Sequence, residues 1–204
     1  MLKRIEWLGH ASFKISGRDR IIYIDPWHLR GGELADIILI THDHYDHCSP
    51  DDLKLISKGN TVVLAPEVCR EQLGNAMRAI EPRDQISIGG VEIEAIPAYN
   101  IDKEYHPKEK GYLGFVVAVD GRKIYHAGDT DVIPEMEEVQ ADVALLPVGG
   151  KFTMDAAQAA RAAHTIKPEV SVPMHWGSII GSIEDAHAFE ELCELEVEIL
   201  EPKR

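Results

Sequence analysis

The chain has 204 residues, 45% of them hydrophobic, which suits one domain with a buried core, spanning 1–204, and is too short for two full ones. Its formal net charge of −14 argues against non-specific binding to nucleic acid or an anionic membrane, since both need a basic face. No apolar run is long enough for membrane insertion, and Met1-Leu2-Lys3-Arg4-Ile5-Glu6 lacks a signal peptide's apolar stretch, so the expected location is cytoplasmic.

Strands are predicted over Leu2 to Leu8, Ala11 to Ile15 and, after the turn Gly17-Arg18-Asp19, Arg20 to Asp25. Pro26 ends the third, because it cannot donate to a ladder. Ala35 to Ile40 is a short apolar run suited to a sheet covered on both faces. Next comes the segment Thr41-His42-Asp43-His44-Tyr45-Asp46-His47. A helix then begins at Ser49, a good N-cap, with Pro50 in the first helical position and Asp51 and Asp52 at the positive end of its dipole. Thr61 to Leu64 is predicted as a strand, and Pro66 opens a second helix reaching about Met77. Gly89-Gly90 joins the strands Gln85 to Ile88 and Val91 to Ile96. Asp120-Gly121 joins Tyr112 to Val119 and Arg122 to Tyr125 more strongly still.

Strands and helices alternate beyond this point. Asp142 to Leu146 and Val170 to Pro173 are predicted strands. Asp155 to Ile166 is a helix entered from Thr153 as cap. Glu184 to Cys193 is an amphipathic helix, and Val197 to Leu200 a closing strand. This order fits two mixed sheets packed together with helices outside. The longest irregular piece, Tyr99 to Gly111, is a candidate active-site loop. Cys48, Cys69 and Cys193 are odd in number and far apart, the pattern of reduced thiols.

His42, His44, Asp46 and His47 fall within six residues at a strand end, and imidazole with carboxylate suits zinc, manganese or iron. This segment cannot complete a site alone. Two later strand ends supply candidates: Asp129 in His126-Ala127-Gly128-Asp129-Thr130-Asp131, and His175 in Pro173-Met174-His175-Trp176-Gly177. Gly149-Gly150-Lys151-Phe152-Thr153 could bind a phosphate through backbone donors or serve as a plain turn.

The segment H-x-H-x-D-H, Gly-Asp-Thr and the late strand-end histidine together resemble the metallo-β-lactamase superfamily. The opening Trp7-Leu8-Gly9-His10-Ala11-Ser12 and Ile24-Asp25-Pro26-Trp27 narrow this. They resemble small metal-dependent hydrolases related to ascorbate-6-phosphate lactonase and the N-acyl-phosphatidylethanolamine phospholipase D group. The resemblance implies an α/β (α+β) fold, a four-layer αββα sandwich, with one or two divalent metals at one edge between the sheets. His42 and His44 would bind the first metal, Asp46, His47 and His175 the second, and Asp129 would bridge them. Many members place a further histidine after the strand that here ends at Ile96, where this chain reads Pro97-Ala98-Tyr99-Asn100. Three solutions stay open: His106 folding back, an open position for water or substrate, or a single-metal enzyme. His10 is read as facing substrate or standing behind a ligand, and Asp25 as orienting a ligand imidazole.

The implied activity is hydrolysis of an ester, lactone or phosphodiester by metal-activated water. Asp46 or Asp129 would orient the nucleophile, and His10 or His106 is the candidate proton donor. A small molecule is the expected partner. An anionic one stays open, because metals reverse the local field, and so does assembly into a homo-oligomer. The rival readings are a non-catalytic metal-binding protein and a nuclease of the same superfamily.

Overall fold

The computed structural model describes residues 2–203. The first sheet runs in chain order through β1 (Ile5–Gly9), β2 (Ser12–Ser16), β3 (Ile21–Ile24), β4 (Ile37–Leu39), β5 (Val62–Ala65) and β6 (Arg78–Ala79). Its first three strands are antiparallel, and β3 to β6 are parallel. The second sheet contains β7 (Gln85–Ile88), β8 (Val91–Pro97), β9 (Leu113–Val119), β10 (Arg122–His126), β11 (Val143–Pro147) and β12 (Val170–Met174). These also lie in sequential order, antiparallel from β7 to β10 and parallel from β10 to β12.

Alternation along the strands decides what each face meets. Ile22, Ile24, Ile37, Leu39 and Leu64 face the second sheet and join Phe115, Val117 and Leu145 in the central core. Their neighbours Tyr23, Ile38, Val63 and Ala65 point the other way, onto Leu53, Ile56 and Leu73 of α1 (Pro50–Ile56) and α2 (Arg70–Leu73). Strands buried on both faces therefore read as unbroken apolar runs, which is why β3 and β4 are legible despite their shortness. On the far side, α3 (Ala156–Ile166) and α4 (Ile183–Leu192) pack on each other and on β11 and β12. The layers run helix, sheet, sheet, helix, the αββα order expected. Among the described residues no helix is long and apolar enough to cross a membrane.

Local chemistry explains most of the boundaries. Ser49 caps α1 by accepting from the Asp52 N–H at 3.3 Å, with Pro50 opening the helix. Both hairpin turns place two consecutive residues at positive φ, Gly89 and Gly90 at 56° and 87°, Asp120 and Gly121 at 51° and 78°.

Several expectations are corrected. The helix predicted from Pro66 to Met77 is only α2 between two single 3-10 turns, because Gly74 at φ 57° breaks it. Asp155, not Thr153, caps α3, in a reciprocal capping box with Gln158. Val197 to Leu200 makes a single bridge to Ser171 instead of a closing strand. Residues Leu2–Arg4 form a 3-10 turn, so β1 begins at Ile5, and the two-residue β6 went unread.

Candidate metal centre

The strands β1, β3, β4, β8, β10 and β12 all finish at the same edge of the sandwich. There the two sheets are tied together by backbone bonds from Leu113 N–H to Thr41 C=O (2.9 Å) and from His175 N–H to His10 C=O (2.8 Å). The His126 Nε2–H adds a third link, to Ala11 C=O at 2.8 Å. The turn after β4 is closed by His47 and Cys48 N–H groups on the His44 carbonyl, at 3.0 and 2.8 Å, which brings His42, His44, Asp46 and His47 round one short arc. His10, Asp25 and His175 sit at strand ends with φ of 54°, 46° and 60°. L residues rarely adopt this region, and such strain collects at functional sites. Gly149 answers the same crowding, since a Cβ there would stand 2.5 Å from the His175 carbonyl.

Every site residue expected from the sequence arrives at this edge, in two groups. His42, His44 and His106 form one; His10, Asp46, His47 and His175 form the other. Asp129 faces both, with Oδ2 3.0 Å from His175 Nε2 and 3.4 Å from His106 Nε2, and Oδ1 3.5 Å from His47 Nε2. His42 Nε2 and His44 Nδ1 are 3.1 Å apart. Donors on a tetrahedral zinc at its usual nitrogen and oxygen distances stand ~3.3 Å from one another. The spacing fits.

Proton placement follows from the partners. The Thr41 hydroxyl donates to Asp25 Oδ2 at 2.6 Å, so it must accept the Nδ1–H of His42, 2.8 Å away. His47 donates its Nδ1–H to the same Asp25 oxygen at 2.7 Å, while the Thr41 N–H holds the other oxygen at 2.8 Å. Each imidazole therefore keeps a free lone pair on Nε2, aimed at the centre. Asn100 does the equivalent for His106. Its Oδ1 accepts from the His106 backbone N–H and from Nδ1–H, both at 3.0 Å, and its Nδ2 donates to Phe152 C=O at 3.0 Å. His106 folds back to within 3.4 Å of Asp129, held there by Asn100. Asn100 as an orienting residue went unread; an amide six positions before a loop histidine was the only signal.

His10 is fully buried, with Nε2 2.9 Å from Asp46 Oδ2 and its ring 4.0 Å from that of His175. It is absent from the cavity wall. It lies beside Asp46, within the group that also holds His47 and His175. His126 lies deeper. It accepts the Gly128 N–H on Nδ1 at 3.1 Å and donates from Nε2, so both ring nitrogens are satisfied. Burial pushes its pKa down to about 4.

Electrostatics favour neutral imidazoles at His10, His42, His47 and His106, and a charged pair at Asp129 and His175. Burial holds His42 and His47 well below their ordinary range, and lowers His10 and His106. Burial opposes ionisation of Asp129, but the charges of His175 and His47 outweigh it and hold that carboxyl well below the usual range. For His175, burial is outweighed by the charge and hydrogen bond of Asp129, which raise it. Burial drives Asp25 up against the pull of its two Thr41 donors. Meanwhile His47 Nε2, His106 Nε2, His175 Nε2 and Asp129 Oδ1 are buried without any hydrogen-bond partner. An unpaired buried polar atom costs about 1–3 kcal/mol, and such atoms gathered on both sides of Asp129 fit cation binding.

Above these groups opens a cavity of about 400 Å³, lined among others by His44, Asp46, Tyr105, His106, Phe152 and Ile179. The candidate active-site loop, 99–111, contributes Tyr105 and His106, and the segment between β12 and α4 contributes Ile179. Phe152, from the glycine-containing segment considered for phosphate, is a third source.

Comparison with known proteins places this geometry. Residues 4–175 match the model of the β-lactamase superfamily domain. The chain is 36% identical to a UPF0173 metal-dependent hydrolase of Thermoplasma acidophilum, covering 93% of this chain and 90% of that protein. It is 34% identical to one from Methanopyrus kandleri, over 98% and 97%. The solved structure of Igni18, a metallo hydrolase from Ignicoccus hospitalis, superimposes with a TM-score of 0.79 at 26% identity, over 98% of this chain and 95% of that one. Matched by that family model over residues 4–175 and by these relatives over more than nine-tenths of its length, the chain belongs to the UPF0173 metal-dependent hydrolases of the metallo-β-lactamase superfamily.

Proposed function

We propose that the centre holds two divalent ions, zinc first among the candidates with manganese or iron as alternatives, and hydrolyses an ester, lactone or phosphodiester of a small molecule. His42, His44 and His106 would hold one ion, Asp46, His47 and His175 the other, with Asp129 between them. The observation that carries this reading is the set of buried, unpartnered Nε2 and carboxylate atoms converging from both sheets. When bound, the ions would supply a Lewis acid and acidify water toward pKa ~7.

The chain's own residues do the rest. Asp25 and Thr41 fix the proton positions of His42 and His47, and Asn100 fixes that of His106, so three lone pairs are pre-aimed. His10 engages Asp46 Oδ2, which keeps that carboxylate from rotating. Of the three carboxylates on the cavity wall, Asp43, Asp46 and Asp129, the last two stand among the histidines and are placed to orient a water and accept its proton. His106 also lines the wall, but its Nδ1–H is committed to Asn100, so it is a poor proton donor to a leaving group.

A non-catalytic metal protein would be expected to close its coordination shell; here the donors open onto a cavity. A nuclease needs a basic track for phosphates, and among the described residues no Lys or Arg lines this cavity. The same lack leaves an anionic substrate only the ions themselves to hold it. The test combines elemental analysis with a screen of esters, lactones and phosphodiesters. Two ions per chain with turnover of one class supports the reading. Full metal content in the double variant His42→Ala/His44→Ala would sink it.

A further inference from the structure

The cavity above the centre divides into two chemically different parts. Its floor is the histidine and carboxylate cluster. Its wall is Tyr45, Tyr105, Phe152 and Ile179. Three of these are large apolar side chains left in solvent, Tyr45 at 68%, Tyr105 at 45% and Ile179 at 40% exposure. They come from three separate segments and converge at one place, where exposed apolar groups mark a binding surface more often than chance. Tyr105 stands edge-on to Phe152 with ring centroids 4.7 Å apart and planes at 88°. Tyr45 meets Trp27 edge-on at 6.2 Å, and Trp27 stacks on His28 at 3.8 Å. These contacts hold the two tyrosines against rigid neighbours rather than leaving them loose.

Charge points the same way. Among the described residues the cavity lining carries the carboxylates Asp43, Asp46 and Asp129 and no Lys or Arg. Lys151 lies outside the lining, with its Nζ 5.0 Å over the Phe152 ring. A substrate tail bearing a carboxylate or phosphate would meet acidic and apolar groups. An alkyl or aryl tail would cover four apolar side chains. The cavity volume of about 400 Å³ lies at the small end of the ~300–1,000 Å³ typical of small-molecule sites.

We infer that the wall of Tyr45, Tyr105, Phe152 and Ile179 is a specificity pocket for an uncharged alkyl or aryl group next to the bond being cut. This rests on the hydrolase reading for the cutting, though not for the binding. Each methylene buried there raises affinity two- to fourfold, the upper value corresponding to ~0.8 kcal/mol per CH₂.

The test has two arms. The first is calorimetric binding of acetate, butyrate and octanoate to the metal-loaded protein. The second follows kcat/KM for methyl alkanoates of increasing acyl length, for alkyl acetates of increasing alcohol length, and for the same esters with a terminal carboxylate. Octanoate should bind more tightly than acetate by at least tenfold, and kcat/KM should climb with length in one of the two ester series. A terminal carboxylate should remove that gain. Tyr105→Ala and Phe152→Ala should each flatten the length dependence of binding, and Phe152→Leu should restore most of it. Length-dependent binding without turnover of any ester sustains the pocket and defeats the hydrolase reading. Turnover and binding both indifferent to length, or a preference for the carboxylate-bearing esters, overturns the pocket and leaves hydrolysis standing.

Discussion

His47 and His106 stand on either side of Asp129, at 3.5 Å and 3.4 Å, yet the chain fixes them by different means. His47 lies in a tight turn between β4 and α1, and its Nδ1–H is held by Asp25, itself fully buried at the end of β3. β3 and β4 belong to the first sheet, and α1 packs on it. His106 lies in an irregular loop between β8 and β9, and its partner Asn100 belongs to the same loop. That loop is pinned from outside. Lys103 pairs with the buried Asp131, and Asp131 Oδ2 accepts the Ile101 N–H at 2.9 Å. Lys108 bonds both Tyr99 and Glu135. Sites built on strands and helices are more rigid than sites on loops. The half of the centre carrying His47 should therefore tolerate less change, and the half carrying His106 should be the one that loosens first.

The largest effect comes from removing two ligands of one ion. His42→Ala with His44→Ala should remove the ion of the first group and reduce hydrolysis to background, checked by elemental analysis beside rate measurement. Next comes the strand-borne half alone. Asp25→Asn leaves His47 without its carboxylate, and should weaken binding of the second ion by ~10–100-fold, read by competition with a chelator. An unchanged affinity would show that the buried carboxylate is not what fixes His47. The loop-borne half comes third. His106→Ala should lower stoichiometry from two ions to one, while Asn100→Ala should weaken the first ion by about 1 kcal/mol, roughly fivefold. If Asn100→Ala costs as much as Asp25→Asn, the contrast between strand and loop fails.

The smallest effect concerns the seam behind the centre. His126 has a pKa near 4 in the folded protein against 6.5 when unfolded. The unfolded chain therefore binds the extra proton first as pH falls. The contribution of neutral His126 is fully present above pH 6.5 and is lost between 6.5 and 4. His126→Gln should make the stability of the metal-free protein fall less steeply across that window, by about one proton. An identical slope would remove His126 from the account.

The same contrast explains what the sequence discloses. Strand-borne ligands are legible because their spacing is local: His42, His44, Asp46 and His47 fall in one arc, and Asp129 and His175 each follow an apolar strand. The hairpins at Gly89-Gly90 and Asp120-Gly121 are legible for a similar reason, since their turns demand positive φ. His106 is legible only as one option among three. A loop histidine carries no periodicity, and what holds it is Asn100 six residues earlier together with Phe152, far away in sequence. His10 is legible as a residue near the centre, but its pairing with Asp46, 36 residues away, is not. The helix from Pro66 fails on one residue, Gly74, whose conformation stops it after a single turn.

The central claim is that two groups of donors, one from strand ends and one completed by a loop, converge on two ions around Asp129. Anomalous diffraction from zinc-soaked crystals tests it most directly. The account predicts two peaks per chain, one among His42, His44 and His106 and one among Asp46, His47 and His175, with Asp129 reaching both. A single peak, or a first peak with His106 turned away from it, would contradict it.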